Sequence, residues 1–349
     1  MPNTDFSSDL GGSTGPLGGS SSRMVAIDPL LPDASLGMPP APPIAAVPEG
    51  GEAGSTGSIL RIIGRVFIEN KLAVVGVIIL VSIILFCFLG PFFYHSDQIS
   101  ILLRGPAPPG SCGGTFQGVP VSGPSCPVGI DDQGFDVLGR LMVAGQSDIE
   151  VGFAAAFLAT AVGVIWGAVS GFIGGVLDSV MMRFVDMLLS IPSLLFIIVI
   201  ATMFTPDKNE LILIIALFAW LIPARLVRGE TLSLREREYV QAVKVMGGTS
   251  RRIVLRHIIP NAIGTIVVNA TFQVADAILL LSALSFLNLG VHYPESDWGL
   301  MLNTGVRYVY DGYWWLILPA GGLIVLTVLA FNFIGDALRD ALEVRLQRR

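Results

Sequence analysis

The sequence predicts an all-α integral membrane protein with six transmembrane helices. Hydrophobic residues make up 52% of the 349 residues and charged residues only 14%, and the mean hydropathy is +0.71. These values lie far from those of an average soluble domain. Six apolar stretches also approach or exceed the length of about 20 residues that a helix needs to cross a bilayer core. Composition and stretch length together exclude an ordinary soluble protein.

The six predicted spans are separated by polar or Gly/Pro-containing segments. Pro192 and Pro223 lie inside or near spans, where neighbouring helices can satisfy the freed backbone carbonyls. The predicted spans are Leu72–Phe93, Val151–Phe172, Val180–Phe204, Leu211–Leu226, Ile258–Leu281 and Tyr313–Ile334.

The distribution of Lys and Arg predicts the orientation of the spans. If both termini are cytoplasmic, sixteen of these residues fall in inside segments and four in outside segments. Because inside loops carry the excess of positive charge, we expect both termini in the cytoplasm.

The segments that flank the spans differ in composition. Residues 1–57 are rich in Gly, Ser and Pro and carry six acids against Arg23, which predicts a disordered acidic tail. Residues 58–71 follow, and their apolar positions recur on one helical face, which predicts an amphipathic elbow helix on the membrane surface. The alternative is a plain cytoplasmic extension of the first helix. Residues 72–345 form the predicted transmembrane domain, and residues 346–349 a basic tail.

The predicted outside loop, at about residues 95–147, contains Cys112 and Cys126. On the oxidising side of the membrane these thiols can form a disulfide worth about 3 kcal/mol. The alternative is two unpaired thiols. Cys87 lies inside the first span and is expected to be buried. No CxxC spacing or His cluster is present, so no metal site is predicted. The nearly neutral charge outside the tail indicates no nucleic-acid partner, and membrane lipids are the expected surroundings.

A polar, basic stretch at about residues 228–257 lies between two spans and is expected in the cytoplasm. Residues 236–246 favour a helix, and Gly247 can adopt a positive φ at its end. Thr249 or Ser250 can cap a second helix, so the Gly247-Gly248 pair predicts a tight corner between two short helices. The alternative is that the basic residues only anchor the topology.

This stretch resembles the cytoplasmic signature loop of ABC-importer permeases: Glu-Ala-Ala, three residues, Gly, nine residues, then Ile-x-Leu-Pro. Here the sequence reads Gln241-Ala242-Val243, then Gly247, then His257-Ile258-Ile259-Pro260, with Gln in place of the leading Glu. The resemblance implies that the loop docks on ATPase subunits. The residues expected to couple the two are Glu238, Tyr239, Gln241, Ala242, Met246, Gly247, Gly248, Thr249, Arg251, Arg252, His257 and Pro260.

Three further stretches are similar to segments of peptide and nickel permeases. The resemblance covers roughly residues 58–345, and the chain is most similar to the C-type subunits of dipeptide/oligopeptide permeases. The three stretches are Asp131–Arg140, Arg183–Pro192, and Leu284–Gly290 followed by Trp298-Gly299.

The resemblance implies half of a translocation pathway in the type I importer architecture. The expected partners are a homologous second permease, two P-loop ATPases and an extracytoplasmic peptide-binding protein. No phosphate-loop motif occurs in the chain, so ATP and Mg are expected on the ATPases and no catalytic residue is assigned here. The alternatives are a nickel or glutathione permease of the same family, or a self-sufficient secondary carrier.

Two acidic residues within or near the spans have open roles. Asp276 lies well inside the fifth predicted span, and an ionisable group there suggests a pathway function. The alternative is a helix-packing or buried hydrogen-bond role. Asp186 has Arg183 one turn away, which predicts a structural ion pair between the two.

Overall fold

A computed structural model describes residues 70–96, 106–110, 115–116, 119–120 and 126–347. In these ranges the regular structure is helical apart from two short antiparallel strands, β1 (Thr115–Phe116) and β2 (Val119–Pro120), and isolated bridges that Ile130 forms with Ala107 and Asp136. The helices are α1 (Lys71–Phe93), α2 (Val137–Ile173), α3 (Gly175–Leu189), α4 (Ser193–Phe204), α5 (Lys208–Ala219), α6 (Leu221–Arg235), α7 (Glu238–Val245), α8 (Ser250–Ile253), α9 (Ile259–Phe286), α10 (Trp298–Val306) and α11 (Leu318–Gln347).

Three shorter helical turns connect these elements. A π-helical turn, Val254–Ile258, joins α8 to α9. Two 3-10 turns, Val309–Asp311 and Trp314–Leu316, join α10 to α11. The prediction of a predominantly helical membrane protein is confirmed. The tail and the residues 58–69 of the predicted elbow lie outside the described residues.

Within the described ranges, four helical segments are long and apolar enough to cross a membrane: Lys71–Phe93, Val137–Ile173, Ser250–Phe286 and Trp314–Leu342. Two bent helix pairs raise the number of candidate spans to as many as six. The α3–α4 pair bends by 75° and the α5–α6 pair by 42°.

The predicted span Val180–Phe204 therefore falls on a broken helix pair and not on one straight helix. Pro192 lies at the break between α3 and α4, where it has no backbone N–H to donate and disfavours helical geometry at Ile191. The second predicted span also differs, because α2 begins at Val137 rather than Val151. Asp136 caps that helix by accepting a hydrogen bond from the Gly139 backbone N–H at 3.0 Å.

The third difference is at the C-terminal end of α6. This helix continues to Arg235, so Arg228 belongs to a candidate span and not to the polar stretch predicted at about residues 228–257. Helix α6 thus includes residues 228–235, the first part of the predicted 228–257 segment.

Helices α2 and α6 approach each other so closely that three glycines of α2 touch the α6 backbone. A Cβ at Gly163 would lie 2.6 Å from the Pro223 Cβ, and one at Gly171 would lie 2.9 Å from the Arg228 carbonyl oxygen. At Gly167 an added Cβ would overlap the Ala224 carbonyl oxygen. The glycines recur every four residues and so share one face of α2, as in small-residue helix contacts in membranes.

Around this contact, buried apolar side chains of α2, α5, α6 and α9 form the largest core cluster, which includes Leu211, Ile215, Leu221 and Leu281. A second cluster joins α1, α2, α10 and α11 around the fully buried Trp298. The Trp298 backbone N–H donates to Asp148 Oδ2 at 2.9 Å, and its indole Nε1–H donates to the Leu141 carbonyl at 3.0 Å. These bonds tie α10 to α2.

The cysteines are only partly described. Cys87 is buried and free, as expected for a residue inside the first span. Cys126 is buried and disulfide-bonded. Its predicted partner, Cys112, lies outside the described residues, so the Cys112–Cys126 pairing stays a prediction.

Replacing Gly167 by Ala should destabilise the protein, because the added methyl group forces α2 and α6 apart. Overpacking of this kind costs about 1–3 kcal/mol, so we expect the Tm of the detergent-solubilised protein to fall by several degrees. Gly322→Ala is the matched control, since a Cβ there meets no described atom within 4 Å. Equal Tm values for the two variants would show that the helices are not in backbone contact.

Candidate functional site

The segment from Glu238 to Ile253, with the corner at Gly247-Gly248, forms two short helices. Helix α7 ends in a Schellman motif: the Gly248 N–H donates to the Val243 carbonyl at 2.9 Å and the Gly247 N–H to the Lys244 carbonyl at 3.1 Å. Gly247 has a φ of +81°, as the sequence predicted. These bonds satisfy carbonyls at the end of α7 and fix the direction in which the chain turns.

Gly248 is required for a different reason. A Cβ on this residue would lie 2.7 Å from Val243 Cγ1 and 2.8 Å from the Val243 carbonyl oxygen. Thr249 then occupies the N-cap position of α8, but no side-chain capping bond is formed there. Thr249 thus takes the N-cap position that was predicted for it or for Ser250, but without the side-chain bond. The backbone turn makes the corner without it.

Three buried side chains attach this corner segment to the transmembrane helices. Val240 of α7, Ile253 of α8 and Ile258 of the π-helical turn are 1%, 1% and 0% exposed. They pack together with Phe172 at the end of α2 and Leu234 at the end of α6. The corner segment is thus connected by apolar packing to the two helices that the glycine contact holds together.

Polar contacts reinforce this attachment. The Gln241 side chain donates from Nε2 to the Arg235 carbonyl at 2.9 Å, and Arg235 Nη1 donates to the Gly171 carbonyl at 2.9 Å. The signature pattern has Glu at this position, and a Glu side chain could not donate this hydrogen bond to the Arg235 carbonyl. The amide of Gln241 therefore has a structural use. Gln241 is therefore an anchor of the corner segment rather than an exposed contact residue.

The outer side of the corner segment is exposed and has an apolar tip. Val245 is 86% exposed and Met246 78% exposed, although both are apolar. Basic side chains of Lys244, Arg251 and Arg252 are exposed nearby in the sequence. The remaining predicted coupling residues that are exposed are Glu238, Tyr239, Ala242, Gly247, Thr249 and Pro260, whereas Gly248 and His257 are half-buried.

Asp276 lies on α9, far from the corner segment along the chain. Its side chain is exposed and makes no hydrogen bond or ion pair with any residue that the structure describes. The alternative of a buried hydrogen-bonding role therefore has no support in the described ranges. A carboxylate without a protein partner is unusual in a membrane-spanning helix.

Two ion pairs join α3 to α6, and sequence reasoning identified neither. Arg228 binds Asp178 through two nitrogens, at 2.6 and 2.7 Å. Arg225 binds Asp186 through Nη2 alone. The predicted partner of Asp186, Arg183, was wrong because packing of α3 against α6, and not spacing within α3, decides the pair. The available signal was the presence of two arginines next to a predicted span boundary.

Comparison with known protein families shows which family the chain belongs to. Residues 163–348 match the family described as binding-protein-dependent transport system inner membrane component. The chain belongs to this family. Residues 58–109 match the N-terminal transmembrane domain of oligopeptide transport permease C.

Several relatives of this permease are similar over most of their length. The oligopeptide transport system permease protein OppC of Haemophilus influenzae is 40% identical over 80% of this chain and 86% of its own length. OppC of Bacillus subtilis is 39% identical over 81% of this chain and 88% of its own. The dipeptide transport system permease protein DppC of Bacillus subtilis is 35% identical over 80% and 84%, respectively.

Replacing Gly247 by Ala should loosen the corner of this permease, since a φ of +81° costs a residue with a Cβ about 1–2 kcal/mol. We expect backbone amides of α7 to exchange with deuterium about tenfold faster than in the wild type. Gly247→Asn is the matched control, because Asn tolerates left-handed backbone better. Unchanged exchange in Gly247→Ala would mean that the turn does not hold α7 in place.

Proposed function

We propose that this chain is the C-type permease subunit of an ATP-driven importer of di- or oligopeptides. Relatives named as oligopeptide and dipeptide permeases, 35–40% identical over at least 80% of the chain, support the substrate class. The exposed apolar tip on an anchored corner segment is the observation that carries the coupling role. The chain crosses the membrane six times with both termini in the cytoplasm, in agreement with the excess of Lys and Arg in the predicted inside segments.

The complex contains a homologous second permease, two P-loop ATPases and an extracytoplasmic peptide-binding protein. ATP and Mg bind to the ATPases, and this chain contributes half of the pathway without catalysing hydrolysis. Val245 and Met246 insert into an apolar depression of one ATPase, and Lys244, Arg251 and Arg252 face acidic groups at its rim. This arrangement follows the general pattern of an apolar centre with a polar border.

The coupling step uses the attachment of the corner segment. When ATP closes the ATPase dimer, it displaces α7 and α8, and the buried Val240 and Ile253 transmit this displacement to the ends of α2 and α6. Because these two helices are in backbone contact, they move as a unit. The transport cycle is thus a rigid-body transition between two packed arrangements.

Replacing Met246 by Glu should weaken the complex without affecting the fold, since the side chain is 78% exposed in this chain. Burying a charge in an apolar contact costs more than about 1.4 kcal/mol, so we expect at least tenfold weaker retention of the ATPases. The measurement is quantitative mass spectrometry of chains that co-purify with the tagged permease from native membranes. Met246→Leu is the control.

Retention of the ATPases by Met246→Glu at the wild-type level would contradict the proposed docking tip. If the wild-type chain purifies without a second permease or ATPases and transports peptide in liposomes lacking ATP, it is a self-sufficient carrier and the proposed function fails.

Asp276 is the proposed contact for the amino group of the peptide in the pathway. Its exposed carboxylate on α9 supports this role, because an ionised group at this depth needs water or an opposite charge. We expect Asp276→Asn to lower ATP-dependent peptide uptake at least tenfold while leaving the amount of assembled complex unchanged. Leu279→Asn, one turn away on the same exposed side, tests for a non-specific effect, and an equal loss in both variants would exclude a role for the charge.

A further inference from the structure

Two completely buried carboxyl groups, those of Asp148 and Asp297, meet where α10 begins against α2. Asp148 belongs to α2, Asp297 is the N-cap of α10, and both residues are 0% exposed. The Trp298 N–H, in the residue after Asp297, donates to Asp148 Oδ2 at 2.9 Å. Neither carboxyl group has a role in the function proposed above, so their burial together needs another explanation.

The two carboxyl groups differ in how their oxygens are bound. Asp297 Oδ1 accepts from the Leu300 N–H at 2.7 Å, and Oδ2 accepts from the Ser285 hydroxyl of α9. Hydrogen bonds to both oxygens stabilise an ionised carboxylate. Asp148 Oδ2 accepts from the Trp298 N–H, but Oδ1 is buried without a hydrogen-bond partner in the described part of the chain. Asp148 therefore has the poorer environment for a negative charge.

A second buried polar group without a partner faces Asp148 from α9. Helices α2 and α9 touch at Gly152, where an added Cβ would lie 2.6 Å from Ile278 Cγ1. Asp148 and Ser282 are each one turn from this contact and on the same helix faces, since residues four apart share a face. Gly299 of α10 packs on Ser282, because a Cβ there would lie 2.6 Å from the Ser282 Cα. Ser282 is 6% exposed, and no described residue binds its hydroxyl.

No cationic side chain compensates the Asp148–Asp297 pair within the described ranges. Lys208 of α5 binds Glu150 and Glu295 instead, at 2.9 and 3.2 Å. From α1, the Cys87 thiol lies within electrostatic range of Asp148. At this level α9 adds serine hydroxyls, and α11 packs with apolar side chains. The pair is therefore enclosed without a counter-charge.

Two enclosed carboxylates lose their hydration and repel each other, so one of the two groups retains a proton. Burial raises the pKa of Asp297 to about 6, and Asp297 is therefore ionised at neutral pH. The proton is then on Asp148, at the oxygen that no described residue binds. A metal ion would need about six oxygen ligands, whereas a proton needs a single one.

We propose that Asp148 and Asp297 form a proton-binding site, which holds one proton on Asp148 Oδ1 and thereby keeps the start of α10 attached to α2 and α9. Loss of the proton leaves two negative charges in the contact, and α10 then separates from α2. The site makes this contact sensitive to pH. The inference goes beyond the proposed transport function and does not depend on it.

The sign of the pH dependence follows from the number of protons in each state. When α10 separates, both carboxyl groups are hydrated and have ordinary pKa values of about 4, so both are ionised at neutral pH. The closed contact holds one more proton than the open one above about pH 6, where Asp297 is already ionised. The equilibrium constant for opening should therefore rise about tenfold for each pH unit.

The free thiol of Cys87 can report this opening. Cys87 is 0% exposed. An added Cβ at Gly145 would overlap Cys87 Sγ and would lie 2.5 Å from Trp298 Cζ2, so the thiol and the indole ring are neighbours. Separation of α10 from α2 removes Trp298 and uncovers the thiol. The measurement is the rate at which N-ethylmaleimide labels Cys87 in the full-length purified permease, followed by mass spectrometry of the Cys87 peptide.

We expect the wild-type labelling rate to rise about a hundredfold between about pH 6.5 and about pH 7.5. A factor of about ten comes from the larger thiolate fraction, and another factor of about ten from the lost proton. Asp148→Asn has no proton to lose, so its rate should rise only about tenfold. Glu150→Gln, which removes a neighbouring carboxylate outside the pair, is the matched control and should behave like the wild type.

Equal rises in the wild type and in Asp148→Asn would overturn the proposal, since a merely structural Asp148 would not change the pH dependence. If Asp148→Asn does not fold, the wild type decides alone: a rise of about a hundredfold supports the site, and one of about tenfold overturns it. Added Na⁺ or Ca²⁺ should not change the labelling rate at constant pH. Protection of wild-type Cys87 by either ion would show a metal site and would also overturn the proposal.

Discussion

The backbone contact between α2 and α6 is the constraint on which the rest of this permease depends. Gly163, Gly167 and Gly171 contribute no side chain to the contact, so α6 lies directly against the α2 backbone. In a membrane, where lipid competes with apolar side chains, close packing of this kind contributes much of the association between helices. The contact also sets the position of every charged group that α6 carries.

The same contact explains how the short corner segment can act on the spans. The corner segment is attached at the ends of α2 and α6 by Val240, Ile253 and the Arg235 hydrogen bond to Gly171. Its apolar tip is left exposed, while its buried side is shared with the membrane helices. The exposed tip and the membrane helices are therefore linked through one closely packed pair of helices.

Much of this organisation could be predicted from residues that act locally. The Gly247 turn followed from a helix-forming run that ends in Gly-Gly, and the helical class from the apolar stretches. The pairing of Asp186 with Arg225 could not be predicted, because it depends on how α3 crosses α6 in space. The bend at Pro192 was missed because an apolar run conceals a break in backbone direction. The early start of α2 at Val137 depends on the Asp136 cap, which hydropathy does not register.

The central claim, that the corner segment and the α2–α6 pair move together, can be measured by electron–electron resonance between spin labels at Val245 and Phe157. Both side chains are highly exposed, and the free native thiol, Cys87, is buried. The distance should be recorded in the complete complex with ADP and with trapped ATP, alongside its ATP hydrolysis. The account predicts a single distance distribution whose mean shifts by less than about 2 Å, the scale of small helix adjustments. A shift of about one helical turn, roughly 5 Å, would mean that the corner hinges independently of the spans and would contradict it.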